Sequence, residues 1–313
     1  GIDRFAPGGI FMTAYLHLLM SISVPTLIIC TCGAILQKNR PVDTKLLADI
    51  ALYILAPALI LSALSESHMH ENNVIHIFLF SIIMTAVLWL TAILTAKIAR
   101  FSERSSRALT LTTIFSNSNN YGLPVLLLAF GHKGFALGAV YVIGQIILVN
   151  ILGMYIASRA SMSGKQAANH ILKSPLIYAC LAGILLALTH IQLPGGISTA
   201  VQTLGTAYPT LVLLILGIKL ANTKRSGLRR PEVWIGVFLR LIIVPVIAKV
   251  VLFALGIHGL LASVLFVEIS MPAAINTVML AEKFDGDSEM ISLIVSITTI
   301  LSFIYLPLLV YIG

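Results

Sequence analysis

Long apolar runs recur along the chain, separated by short polar stretches rich in Lys and Arg. They cover residues 11–36, 46–64, 74–96, 107–130, 135–158, 174–190, 201–220, 233–255, 259–281 and 290–312. Each is close to the ~20 residues a helix needs to cross a hydrocarbon core of ~30 Å. The pattern predicts ten transmembrane helices, spans 1 to 10, and an all-α polytopic membrane protein. Two runs carry interruptions that a plain spanning helix would not. Span 4 contains Asn117, Asn119, Asn120, Gly122 and Pro124 within eight residues, and span 9 contains Glu268, Pro272 and Asn276. Backbone groups freed in hydrocarbon must find partners inside the protein or line a watery cavity.

Both interruptions begin about ten residues into their spans, which is ~15 Å deep at ~1.5 Å per residue. Each therefore predicts a break near mid-membrane, with a new half-helix N-terminus. The amides and positive dipole end of such a terminus favour an anion. Asn117, Asn119, Asn120 and Asn276 add neutral donors and acceptors. As single residues these Asn can equally cap a helix or bond a neighbouring one. Clustered at two breaks, with Gly122, Pro124 and Pro272, they form the candidate substrate site.

Charge adds orientation. With the N-terminus outside, sixteen of the twenty Lys and Arg fall in inner loops and two, Arg4 and Lys133, in outer segments. This positive-inside bias accounts for the net charge of +8 without a nucleic-acid partner. It predicts both chain termini outside. Only 10% of residues are charged, and the mean hydropathy is +1.00. Cys30, Cys32 and Cys180 suit small buried hydrophobes, and no metal-ligand spacing is present.

The prolines suggest a repeat. Pro25 and Pro175, Pro57 and Pro209, and Pro124 and Pro272 pair at nearly constant separation, in spans 1 and 6, 2 and 7, and 4 and 9. Residues 1–158 then form one five-helix half, 159–173 a polar cytoplasmic loop, and 174–313 a second half. Five is odd, so the second half enters the membrane inverted. Inverted halves with one broken helix each point to a secondary transporter with a midplane site.

The stretch Asn117-Ser-Asn-Asn120-Tyr-Gly122-Leu-Pro124 resembles the Asn-x-x-Asn-x-Gly-x-Pro pattern of bacterial members of the auxin efflux carrier family. Plant members, the PIN carriers, keep the first Asn and the Gly-x-Pro. Met271-Pro272-Ala-Ala-Ile-Asn276 and Leu280-Ala-Glu-Lys-Phe284 are similar to the family's span 9 region. The resemblance runs the whole length. It implies the fold of bile-acid symporters and sodium/proton antiporters, with broken helices 4 and 9 crossing. It implies a scaffold of spans 1, 2, 6 and 7, a crossover domain of spans 3–5 and 8–10, and a homodimer through the scaffold. It also implies transport of organic anions such as malate or indole-3-acetate across the cytoplasmic membrane by alternating access. The short loop at 159–173 departs from the long hydrophilic loop of many plant carriers.

The intramembrane ionisable groups have two readings. Glu268 could couple transport to a proton or sodium ion, with Arg240 or Lys249 standing in for the bound cation in the other state. Alternatively these charges are a static structural set, or Lys249 snorkels outward. Gln145 and Asn150 could join the same polar core or bond neighbouring helices. No cofactor is expected. No zinc-protease or phosphate-loop motif is present, so an enzyme is not expected. A cation antiporter of the same fold and a membrane receptor remain the alternatives to an anion transporter.

Overall fold

Proline organises the helices. The computed structural model describes residues 8–65, 71–158, 175–189, 191–222, 227–284 and 286–313. Helices α1 (Gly8–Leu18) and α2 (Val24–Asn39) are joined by a π-helical turn, Leu19–Ser23. A second such turn, Ala51–Leu55, joins α3 (Thr44–Ile50) to α4 (Ala56–Ser65). Helices α5 (Glu71–Ile98) and α6 (Glu103–Ile114) follow. The turn Ser118–Gly122 then leads into α7 (Leu123–Leu148), and Val149–Gly153 into α8 (Met154–Ser158). Next come α9 (Pro175–Thr189), α10 (Gly195–Ala221) and α11 (Pro231–Phe238). The turn Leu239–Ile243 leads to α12 (Val244–Ala254), α13 (Gly259–Ile269), α14 (Asn276–Lys283) and α15 (Ser288–Ile312).

Four of these π turns end directly before an X-Pro pair: Pro25, Pro57, Pro124 and Pro245. A proline lacks an N–H and its ring clashes with the carbonyl four residues back. One wide turn absorbs both faults and lets the helix continue.

The chain is a multi-pass membrane protein. Seven helices among the described residues are long and apolar enough to cross a membrane: Thr13–Asn39, Thr44–Ser65, Asn72–Ile98, Ser118–Leu148, Gly195–Ala221, Pro231–Ala254 and Ser288–Ile312. The apolar runs number ten because three of them are not single long helices. Spans 4 and 9 are each split into shorter helices, and only Pro175–Thr189 of span 6 is described. The helix Ser118–Leu148 is itself two arms, joined where Gly131 takes a positive φ of 64° that an L side chain would resist. The loop predicted at 159–173 lies outside the described residues.

Two groups of helices pack together. In the first, α2 lies along α10, and α4 lies against α9 and α10. The C-terminal ends of α2 and α10 meet, with Gln37 Nε2 donating to Asn222 Oδ1 at 3.3 Å, so the two run parallel. They approach so closely that a Cβ on Gly217 would collide with the Cys30 carbonyl, and one on Gly33 with that of Leu214. Without a hydrophobic drive between helices in lipid, such small-residue contacts supply the packing.

In the second group, α5 packs on α6 and α7, and α15 on α6, α11 and α14. The N-termini of α6, α11 and α15 are clamped together. Arg230 donates to both carboxyl oxygens of Asp287, at 2.6 and 3.2 Å, while Asp287 accepts from the Met290 amide and so caps α15. Arg104 donates to the Gly286 carbonyl at 2.8 Å. Burial would raise the Asp287 pKa, but the Arg230 bond, the Met290 amide and nearby arginines outweigh it and hold the carboxyl below its ordinary value. A depressed carboxylate contributes stability above its unfolded pKa of ~3.9 and loses it as pH falls through the lower folded value. Asp287→Asn should therefore lower thermal stability at neutral pH by about 1 kcal/mol. That difference should close only in acid well below ~3.9, the unfolded value. Melting curves of both proteins across pH check it.

Candidate functional site

The helix of span 4 stops at Ile114 and that of span 9 at Ile269. Between them the two interruptions run side by side as a minimal antiparallel bridge at Ser116 and Ala273. The Asn117 amide donates to the Pro272 carbonyl at 2.8 Å, and the Ala274 amide to that of Phe115 at 2.9 Å. The Ala273 amide finds Thr298 Oγ1 at 3.3 Å. The two breaks thus satisfy each other, as backbone away from water must.

Arg240 secures the crossing. It is fully buried and lies on the π turn before α12. Its Nε donates to the Met271 carbonyl at 2.8 Å, Nη1 to Thr113 at 2.7 Å, and Nη2 to Ile269. Thr113 and Ile269 lie at the C-terminal ends of α6 and α13, where the dipoles are negative and the last carbonyls lack helical partners. One planar cation serves both ends. The neighbouring turns begin with their amides instead. The Asn117 carbonyl accepts from Tyr121 and Gly122, which starts the second half of span 4, and Thr277 and Val278 donate back to Ala274 and Ile275 at the start of α14.

The candidate substrate residues line these N-terminal ends. Asn117 is buried, and its Nδ2 has no hydrogen-bond partner among the described residues. Asn119 and Asn120 are half-buried and Asn276 is exposed. Pro124 and Pro272 are buried in the backbone of the turns. Tyr208, on α10 of the first group, donates its hydroxyl to the Asn119 carbonyl at 2.9 Å and shares a 3.0 Å contact with Asn119 Oδ1. Sequence reading missed Tyr208. Its one signal was its place beside Pro209, the partner of Pro57.

Glu268 sits at the same level, wholly buried. Neither carboxyl oxygen has a hydrogen-bond partner of ordinary geometry among the described residues. The Ser118 hydroxyl comes near but bonds Ser116 Oγ at 2.6 Å. Gly122 and Gly138, one on each arm of the α7 hairpin, flank the carboxyl, and a Cβ on Gly122 would overlap Oε2. Gln145 is buried one turn beyond Tyr141 on the second arm. Lys249 lies elsewhere: its Nζ donates to the Ile312 and Gly313 carbonyls and stands 4.3 Å from the centre of the Phe266 ring. The Asn150 side chain lies outside the described residues.

The family described as "Membrane transport protein" matches residues 18–169 and 160–310. The chain belongs to it, the auxin efflux carrier family. An uncharacterized transporter from Methanothermobacter thermautotrophicus is 26% identical over 268 residues, covering 85% of this chain and 88% of that protein. Another from Methanocaldococcus jannaschii is 28% identical over 278 residues, covering 84% of this chain and 88% of that one.

Proposed function

We propose that this carrier-family protein is a secondary transporter of small organic anions, carboxylates such as malate or indole-3-acetate. It would work across the cytoplasmic membrane by alternating access. The observation that carries this reading is the asymmetry of the crossover. The negative helix ends are held by Arg240, whereas the positive ends carry Asn117 Nδ2, unpartnered among the described residues, and the half-buried or exposed Asn119, Asn120 and Asn276. Such a site attracts an anion without a mobile counter-charge.

Ten spans in two inverted five-helix halves fit the arrangement, with residues 1–158 and 174–313 as the halves and both termini outside. Parallel α2 and α10 agree with spans 1 and 7 crossing in the same sense. Spans 1, 2, 6 and 7 would form the scaffold and the dimer interface, and spans 3–5 and 8–10 would move. Reconstituted in liposomes, the protein should exchange labelled malate or indole-3-acetate. Asn117→Ala should raise the half-saturating concentration about tenfold, as loss of one buried donor worth ~1.4 kcal/mol would. Absence of flux with either anion would sink the reading.

The buried Glu268 favours a second reading, a cation antiporter that binds its ion directly. It predicts proton or sodium exchange with no organic anion present.

A further inference from the structure

We propose that Glu268 is a proton-binding site, loaded and unloaded once per transport cycle, and that sodium has no place there. The proposal rests on the anion-transporter reading and names its coupling ion.

The carboxyl is enclosed by the two arms of α7, at the one level where both carry glycine, Gly122 and Gly138. A carboxylate there would be stripped of water with one hydroxyl, that of Ser118, in reach and no cation among the described residues bonded to it. From α7 the facing titratable group is Tyr141, and from α10 it is Tyr208; both are phenols. Tyr121, in the turn Ser118–Gly122, exchanges its bond with Ser302 instead. Tyr305 of α15 donates to the Ser270 carbonyl at 3.2 Å. The two cations within span 8 are committed elsewhere, Arg240 to three carbonyls and Lys249 to the end of α15. An uncompensated buried charge costs several kcal/mol, so the enclosure as built accepts a neutral acid.

Sodium would need oxygen ligands, and unwound carbonyls usually supply them in broken-helix transporters. Here six of those carbonyls already accept a hydrogen bond. Thr113, Ile269 and Met271 accept from Arg240, Pro272 from the Asn117 amide, Phe115 from the Ala274 amide and Ser270 from Tyr305. No cluster of three His, Cys, Asp or Glu side chains stands near enough to bind a metal among the described residues.

The route out is polar. Ser118, next to the carboxyl, is bonded to Ser116 in the bridge between the breaks, and Ser118 adjoins Asn119 in the candidate anion site. When the crossover opens to one side, water reaching Ser118 takes the proton from the acid and leaves a carboxylate. The emptied carrier crosses with that carboxylate still hydrated, and on the other side the carboxylate regains a proton from water before the anion-loaded site closes around it.

The test uses wild-type protein, Glu268→Gln and Glu268→Asp in liposomes with labelled malate and indole-3-acetate. Wild type and Glu268→Asp should accumulate anion against its gradient when a pH gradient is imposed, and a sodium gradient should do nothing. Glu268→Gln should lose that accumulation but keep anion counterflow at matched pH. Accumulation by Glu268→Gln equal to wild type, or driven by sodium, overturns the proposal. If neither anion moves in wild type, the transporter reading fails separately. Infrared spectra of the reconstituted wild type then decide the proton site. A carboxylic-acid carbonyl band at neutral pH, absent from Glu268→Gln, supports it. Absence of that band from wild type at all pH values overturns it.

Discussion

Arg240→Met should leave a protein that barely folds, with thermal stability in detergent lowered by about 3–5 kcal/mol. The figure follows from what the guanidinium does. It satisfies three carbonyls from a wholly buried position. At the low end of the ~1–3 kcal/mol for each orphaned buried acceptor, three acceptors cost ~3 kcal/mol, and loss of the charge at two helix C-termini adds ~0.3–1 kcal/mol each. The thioether is close in length and apolar, so packing is largely kept and the loss isolates the polar role. Against a total stability of ~5–15 kcal/mol this is a large fraction. Arg240→Lys should fall between, because a single ammonium keeps the charge but cannot span acceptors on α6, α13 and the intervening break. Thermal unfolding followed by size-exclusion chromatography separates the cases. If Arg240→Met melts with the wild type while transport alone changes, Arg240 is a mobile coupling charge and not the fastener of the crossing.

That choice was open in the sequence for a physical reason. A cation within an apolar run is visible as an anomaly, but its partner here is backbone, and backbone has no letter. Three carbonyls from two distant segments look the same in sequence whether a guanidinium reaches them or not. The breaks themselves were legible, since Pro, Gly and Asn act on their own backbone: span 4 stops at Ile114 and span 9 at Ile269. The membrane class and family were legible too, from long-range hydropathy and a few local motifs. Tyr208 was not, because an aromatic residue in a spanning helix carries no mark of what its hydroxyl will meet. The wide turns before Pro25, Pro57, Pro124 and Pro245 were half legible. Proline announces a fault in the hydrogen-bond ladder, but not whether the helix breaks, kinks or widens to absorb it.

Gly122→Ala offers a prediction whose sign depends on another residue. Gly122 has φ −61° and ψ −52°, ordinary right-handed helix, so its backbone does not require glycine. On backbone grounds alanine should stabilise the turn by up to ~1 kcal/mol. The obstacle is the carboxyl: the new methyl would overlap Glu268 Oε2, and the acid is wholly buried with Gly138 of the second arm close to its other oxygen. Overpacking of this kind costs ~1–3 kcal/mol, so the single variant should be destabilised and its transport impaired. In a Glu268→Ala background the same substitution should turn stabilising, because the methyl then fills space the carboxyl has left. The four proteins form a double-mutant cycle, and thermal unfolding should give a coupling of at least ~1 kcal/mol between the two positions. Additive effects would mean that Gly122 is read by something other than Glu268, and that the carboxyl is not confined where the proton site needs it. A sign reversal would mean that the glycine of the Gly-x-Pro motif is there to seat an acid, a contact between spans 4 and 9 made by side-chain absence on one and a neutral carboxyl on the other.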